Sequence, residues 1–307
     1  MEDNLLSIQV AGLRLNYPGM LASGVLGYSA ESMRRVIDDG AGAVVTKSVS
    51  LQPRSGYANP TVVQVKSGLI NAMGLPNPGI QVYTEEIKHA KTLIAQPLIV
   101  SIFGYTSEEY AIVAKKAAEA GADALELNVS CPHVKQTGAE IGQNPALLAE
   151  VVKTVKAAVR VPVFVKLSPN VTDIVHLASV AVEAGADALT AVNTLRALAI
   201  DVETRKPILN NIKGGLSGQA MKNVALRCVY DIREKLADTP IIGCGGICNW
   251  QDAVEFFLAG ANAVQIGTAI AYEGSKVFQT INKGVEKYLE KKQFRSVNEI
   301  VGSIHKS

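Results

Sequence analysis

Four copies of the phrase Gly-Ala-x-Ala, each running into a short apolar stretch, constrain this chain more than any other feature of it. They are Gly40-Ala-Gly-Ala43 leading to Thr46-Lys47-Ser48, Gly121-Ala-Asp-Ala124 leading to Asn128-Val-Ser-Cys131, Gly185-Ala-Asp-Ala188 leading to Asn193-Thr194, and Gly260-Ala-Asn-Ala263 leading to Gly267-Thr268. The repetition points to a repeated architectural unit. The differing polar endings point to chemistry gathered at equivalent places. Successive copies start 81, 64 and 75 residues apart, room for two βα units of roughly 30–40 residues each. A second strand therefore belongs between each pair, and a proline introduces it: Pro97-Leu-Ile-Val-Ser-Ile-Phe103, Pro162-Val-Phe-Val-Lys-Leu167 and Pro240-Ile-Ile-Gly-Cys-Gly245. Pro18-Gly-Met-Leu-Ala-Ser-Gly24 stands before the first copy.

The intervening segments carry helix signals. Asn144 stands as an N-cap before Pro145 at the first helical position, and Leu147, Leu148, Val151, Val152 and Val155 follow on one face. Thr172 opens a second such helix and Asn249 a third. Strands that are apolar throughout are buried on both faces, which demands a parallel sheet covered by helices. Eight units predict closure into a (β/α)8 TIM barrel, whereas an open doubly wound sheet gives similar local patterns without this count and regularity. Two segments lengthen the loops. Residues 49–75 contain strand-like Thr61-Val-Val-Gln-Val65 and run into Asn71-Ala-Met-Gly-Leu-Pro-Asn-Pro78, a hairpin and loop; residues 195–217 form a second excursion. A βα barrel carries its reactive groups at strand C-termini and the loops that follow, so both insertions are expected over the C-terminal face.

Residues 1–307 fit one such domain, since barrels with insertions exceed 250 residues. Apolar residues make up 48% and charged residues 19%, enough for a large core. A net charge of +2 without any basic cluster argues against a nucleic-acid partner. The N-terminal Met1-Glu-Asp-Asn-Leu-Leu6 is unlike a secretion signal, and no run of eighteen apolar residues occurs; a cytoplasmic chain without membrane spans is expected. Compositional bias is confined to the Lys/Glu-rich stretch from Glu286 to Lys292. Cys131, Cys228, Cys244 and Cys248 lack the paired spacings of zinc or iron–sulfur ligands, so neither a metal site nor a structural disulfide is expected.

At their C-terminal ends the eight runs present Ser23, Lys47 with Ser48, Ser101, Asn128 with Cys131, Lys166, Asn193 with Thr194, Gly245 with Gly246, and Gly267 with Thr268. Lysines and amides dominate this ring. Carboxylates are nearly absent, and the exception, Glu126, is taken as a strand residue. Such a ring suits anions and planar amide-bearing groups, and disfavours the paired carboxylates of a glycosidase or a divalent-metal site. The glycine-rich endings of the last two runs lie where βα barrels bind phosphate through backbone N–H groups, and Gly214-Gly-Leu-Ser-Gly218 adds a third such turn before a helix. Taken singly, each is a tight turn; three at one end predict a phosphate-bearing ligand. Cys131 lies on a mouth loop near lysines that favour its thiolate, the setting of a nucleophile or general base. Cys228, on a helix, is read as a small buried hydrophobe, as are Cys244 and Cys248, and His133 is read as a surface residue. Lys47 and Lys166 each end an apolar run, where an unpaired ammonium is costly. Snorkelling to solvent would relieve that cost, Schiff-base chemistry at Lys166 is the sharper rival, and a planar redox ring with a substrate carboxylate would explain both lysines.

Thr46-Lys-Ser-Val-Ser50, Asn71-Ala-Met-Gly-Leu75, Asn128-Val-Ser-Cys-Pro132, Asn193-Thr194, Gly214-Gly-Leu-Ser-Gly218, Gly245-Gly246 and Gly267-Thr268 form an ordered set from Leu21 to the last helix that resembles the dihydroorotate dehydrogenases. Cysteine at position 131, in place of the serine of the membrane-associated class, resembles class 1. The Thr-Lys-Ser-Val-Ser and Asn-Ala-Met-Gly-Leu phrases resemble the catalytic subunit of its B type, which passes electrons toward NAD. The resemblance implies FMN across the barrel mouth, its phosphate held by Gly218, Gly245, Gly246, Gly267 and Thr268. Ser23, Lys47, Ser48, Asn128, Lys166 and the Val192 backbone would contact the rest, with Lys166 stabilising the negative charge of the reduced ring. Dihydroorotate would be held by Lys47, Asn71, Ala72, Met73, Gly74, Leu75, Asn128, Asn193 and Thr194, and Cys131 would remove the C5 proton as C6 gives hydride.

The resemblance also implies a role in pyrimidine synthesis and a homodimeric core within a heterotetramer. The other subunit would carry FAD and a 2Fe–2S cluster, since this chain has neither a cluster-like cysteine set nor a dinucleotide fingerprint. Two positions depart from the B-type pattern: Ser101 stands where asparagine is usual on the third strand, and His133 where asparagine usually follows the Cys-Pro pair. The alternatives are a class 1A-like enzyme with fumarate as acceptor, a Lys166-dependent sugar-phosphate lyase or isomerase, and a flavin-binding scaffold without turnover.

Overall fold

Apolar strands buried on both faces can satisfy their backbone and leave no open edge by closing on themselves, and this chain does so. The structure, a computed structural model, describes residues 5–129 and 141–305. Eight parallel strands form a closed barrel: β1 (Gly19–Leu21), β2 (Ala43–Val45), β3 (Leu98–Ile102), β4 (Ala124–Asn128), β5 (Val163–Leu167), β6 (Ala188–Ala191), β7 (Ile241–Cys244) and β8 (Ala263–Ile266). They pair in chain order, and β8 returns to β1 through Gln265 opposite Met20. Between and after them run α1 (Ala30–Asp38), α2 (Ile80–Leu93), α3 (Ser107–Glu119), α4 (Pro145–Ala158), α5 (Ile174–Glu183), α6 (Lys222–Lys235), α7 (Trp250–Ala259) and α8 (Val277–Lys292). The (β/α)8 barrel expected from the repeat is the observed architecture.

Each Gly-Ala-x-Ala phrase stops a helix, turns the chain and starts a strand. Gly40, Gly121, Gly185 and Gly260 take φ of +98°, +110°, +105° and +117°, the left-handed region that only glycine enters without a Cβ penalty. The alanine that follows donates its N–H to a carbonyl five residues back, at 3.1 Å from Ala41 to Val36, 3.1 Å from Ala122 to Ala117, 3.0 Å from Ala186 to Ala181 and 2.9 Å from Ala261 to Phe256. These are Schellman closures, which satisfy carbonyls left open at the helix end.

Position x then clamps the neighbouring strand. The Asp123 carboxylate accepts the Leu98 N–H and the Lys91 ammonium, both at 2.7 Å. Asp187 accepts from the Val163 N–H and Lys156, again at 2.7 Å. Asn262 Oδ1 accepts the Ile241 N–H at 2.9 Å and the Arg233 guanidinium at 2.8 Å. In the first copy x is Gly42, where a Cβ would lie 1.9 Å from the Tyr17 carbonyl oxygen.

Helix starts follow the sequence signals with one shift. Asn144 Oδ1 accepts the Ala146 and Leu147 N–H groups at 3.0 and 3.2 Å, and Asn249 forms a reciprocal capping box with Asp252. For α5 the cap is Asp173, whose carboxylate accepts the His176 N–H at 2.9 Å; Thr172 sits one residue too early to reach that amide. On α4, Leu148, Val151, Val152 and Val155 are buried, but Leu147 is 39% exposed because it is offset one helical step from that stripe.

The two insertions join. Leu195–Leu198, Lys213–Ser217, Gly68–Asn71 and Val62–Val65 lie side by side in an antiparallel sheet. Ile70, Ala72 and Leu209 form a small core of their own there, with Tyr57, Val63, Val65, Ala197, Ala199 and Leu216 packed against it. The expected hairpin is present, and the second excursion extends it into a sheet. Gly214 to Ser217 is thus strand, and the turn begins only at Gly218. Among the described residues no helix is long and apolar enough to cross a membrane.

Candidate active site

Strand register decides which side chains face inward. In parallel strands, residues opposite each other share a face, and residues two apart on one strand share it too. Ser101 lies opposite Glu126, Asn128 opposite Lys166, Lys166 opposite Thr190, and Cys244 opposite Gln265. This set faces the barrel interior, because its members hydrogen-bond across the barrel. Above them the strand ends surround a cavity of about 380 Å³.

The cavity is lined by Ser23, Lys47, Ser48, Asn128, Lys166, Val192, Gly218, Gly245, Gly246, Gly267 and Thr268, and also by Asn71, Met73, Gly74, Leu75, Asn193 and Thr194. Residues scattered over more than two hundred positions of sequence therefore meet in one place. Ala72 is the exception: it is buried in the small core of the insertion sheet, so it anchors the loop and does not line the cavity. Cys131 and His133 lie outside the described residues.

On one side of the cavity a hydrogen-bonded series links the ends of five strands. Ser48 Oγ is 3.3 Å from Ser23 Oγ and 2.8 Å from Ser101 Oγ, and it accepts the Asn128 side-chain N–H at 3.0 Å. Asn193 donates in turn to Asn128 Oδ1 at 3.5 Å, and its own Oδ1 accepts the Thr194 N–H at 2.9 Å. Ser101 is fully buried behind Ser48, so the short side chain at this position supports the series from beneath and does not line the cavity. Lys47 is only 8% exposed, with its ammonium 5.8 Å from the centroid of the Tyr28 ring, within reach of a cation–π attraction.

Lys166 does not snorkel. It is 5% exposed, donates to Gln265 Oε1 at 2.7 Å, and lies 3.4 Å from Glu126 Oε1. Glu126, at 0% exposure, also accepts from Thr190 Oγ1 at 2.9 Å and from the Gln265 amide. Burial works against the Lys166 ammonium, but the Cys244 sulfur and the Glu126 carboxylate outweigh it and raise the Lys166 pKa above the usual lysine value. Burial likewise pushes the Cys244 thiol up, with Lys166 working against that shift; the carboxylate placed beside the ammonium is that of Glu126. A protonated, ion-paired lysine is a poor nucleophile, which removes the Schiff-base reading.

Opposite the amide series, β7 and β8 run into backbone turns. Gly246, with φ of +79°, packs so closely on Lys222 at the start of α6 that a Cβ would lie 2.8 Å from the Lys222 Cα and 2.9 Å from its backbone nitrogen. Only glycine lets this loop meet the start of α6, where the helix dipole favours an anion. Gly218 precedes the same helix, and Gly267 and Thr268 follow β8 on the adjoining wall.

Sequence reasoning missed Gln265, Glu126 as part of the site, and the two cysteines at the cavity. Cys244 and Cys248 line it, whereas Cys228 is buried on α6 as expected. The available signal was a polar side chain inside an otherwise apolar run, as in Ala124-Leu-Glu-Leu and Ala263-Val-Gln-Ile.

A family model described as dihydroorotate dehydrogenase matches residues 5–289. The chain is 54% identical over 297 residues to the "Dihydroorotate dehydrogenase B (NAD(+)), catalytic subunit" of Thermococcus kodakarensis, covering 97% of each. It is 51% identical to the protein of that name from Pyrococcus abyssi, over 97% of this chain and 98% of the relative. The corresponding Methanothermobacter thermautotrophicus protein is 50% identical, over 98% of this chain and 99% of the relative. With motifs, barrel and cavity in agreement with a match over nearly its whole length, the chain belongs to the dihydroorotate dehydrogenase family.

Proposed function

We propose that this chain oxidises (S)-dihydroorotate to orotate in pyrimidine synthesis, using FMN and passing the electrons to a partner subunit that reduces NAD. The observation that carries the reading is one cavity with two unlike walls, a glycine-rich backbone wall at β7 and β8 and a ladder of hydroxyls and amides at β1, β2, β4 and β6, with a buried ammonium at its floor. A nucleotide-like cofactor has the same division into phosphate and hydrogen-bonding ring. The residues present fit FMN on chain-specific grounds: the Gly246 loop leaves no room for a Cβ where backbone N–H groups would meet a phosphate, and Lys166 is held charged in a buried place.

Gly218, Gly245, Gly246, Gly267 and Thr268 would hold the phosphate, and Ser23, Lys47, Ser48, Asn128, Lys166 and the Val192 backbone the remainder. When bound, FMN supplies the hydride acceptor. Lys47, Asn71, Met73, Gly74, Leu75, Asn128, Asn193 and Thr194 would orient the substrate, whose carboxylate and amides need both donors and acceptors. Cys131, as thiolate, would take the proton from C5 while C6 gives up hydride, leaving the C5–C6 double bond of orotate. The relatives' names, with "NAD(+)" and "catalytic subunit", support the NAD-linked reading over fumarate and imply a separate electron-transfer subunit. We assign FAD and a 2Fe–2S cluster to that subunit, around a homodimer of this chain.

The test is spectroscopic. Purified protein should be yellow and bleach on anaerobic addition of dihydroorotate, and Cys131→Ala should bleach about 10²–10⁴-fold more slowly, the usual worth of a general base. A colourless protein, or a variant that bleaches at the wild-type rate, would refute the assignment.

A further inference from the structure

Glu126 lies in the middle of β4, does not line the cavity, and is reached by side chains from three other strands: Lys166 of β5, Thr190 of β6 and Gln265 of β8. The Gln265 amide is used at both ends, its nitrogen donating to Glu126 and its oxygen accepting from Lys166, which fixes which way the amide faces. A polar network in a barrel core is not needed for stability, since apolar side chains of similar volume fill such a layer at no greater cost. Its position, directly beneath the one cavity-lining ammonium it contacts, calls for another explanation.

We propose that Glu126, itself held by Thr190, is a positioning residue that directly and through Gln265 fixes the Lys166 ammonium at the cavity floor so that Lys166 favours the reduced, negatively charged form of the bound flavin. The inference rests on the flavin reading given above. Glu126 touches neither cofactor nor substrate; it acts by holding a counter-charge behind Lys166. Without that carboxylate the buried ammonium loses its partner, and it either sheds its proton or turns out of the cavity floor. In both cases the reduced flavin loses its stabiliser and the midpoint potential falls. A carboxylate serving only as an opposing charge would act with the other sign, because its removal would leave more net positive charge near the ring and raise the potential.

The experiment is an anaerobic titration of the holoenzyme with a chemical reductant and a reference dye, which reads the flavin spectrum and needs no turnover. Glu126→Gln should lower the equilibrium constant for flavin reduction by about tenfold or more, equal to about 30 mV per tenfold for two electrons. Lys166→Met should shift it the same way, and Glu126→Gln combined with Lys166→Met should match Lys166→Met alone, because Glu126 acts through Lys166. Thr190→Val, which removes one hydrogen bond to Glu126 and keeps the shape, should shift it in the same direction by less; if Glu126→Gln does not fold, that variant decides the matter. An unchanged or raised potential in Glu126→Gln, or additive shifts in the double variant, would overturn the proposal. Wild-type flavin that the dye system reduces but dihydroorotate does not bleach would sink the functional reading and leave the Glu126 measurement standing. A wild-type protein without flavin would sink both.

Discussion

Ser48 carries more of the site than its size suggests. A hydroxyl has one proton and two lone pairs, and this one meets Ser23, Ser101 and Asn128 at 3.3, 2.8 and 3.0 Å. Ser48→Ala takes from the buried Asn128 amide the acceptor that orients it, a loss of about 1–3 kcal/mol. The expected outcome is a rise of roughly 5- to 150-fold in KM for dihydroorotate. Ser101→Ala leaves the Asn128 to Ser48 bond in place and should raise KM less; equal effects in steady-state kinetics would remove Ser48 from the centre of the series. Ser48 and Asn128 were legible because they stand at the ends of apolar runs. Glu126 and Gln265 were not, since a strand buried on both faces carries no alternation from which to tell inward from outward. Only the register placed Glu126 inside, two residues below Asn128 on the same strand.

At the scale of elements, the repeated phrase works as a joint. Glycine closes the helix, alanine completes the closure, and in the last three copies the side chain at x ties the start of the preceding barrel strand to the end of the helix before that strand. Asp123→Ala and Asp187→Ala each strip a backbone N–H of its acceptor and break an ion pair, and each should destabilise by about 1–3 kcal/mol. The joints lie in different βα units, so the double variant should equal the sum within about 0.5 kcal/mol. Urea denaturation monitored by circular dichroism measures this, and a double variant no less stable than either single one would show that the joints are not independent. The phrase was visible as a repeat, but its clamping role was not, because its partners Leu98 and Val163 stand 25 and 24 residues earlier. The same holds for the insertion sheet, where Asn71 pairs with Gly215 across a gap that no local pattern spans.

At the scale of the whole molecule, seven of the eight barrel strands bring side chains or backbone to a single cavity, with β3 supporting it from behind through Ser101, while the final electron acceptor belongs to another chain on our reading. The chain alone should therefore reduce an artificial dye with dihydroorotate as donor and give no NADH. Adding the electron-transfer subunit should produce NADH absorbance, and NAD reduction by the isolated chain at an equal rate would refute the partner assignment. By itself the amino-acid order determined the number of βα units, the end of the barrel that carries chemistry and the motif set of the family, because these depend on local signals: periodicity, helix stops and short phrases. Tertiary structure alone decided that the two insertions share one sheet, that Ala72 packs beneath the mouth, and that Lys166 is paired with Glu126 and Gln265 and does not reach solvent. Those facts depend on contacts between residues far apart in the chain, and closure of the barrel is what sets the distances among them.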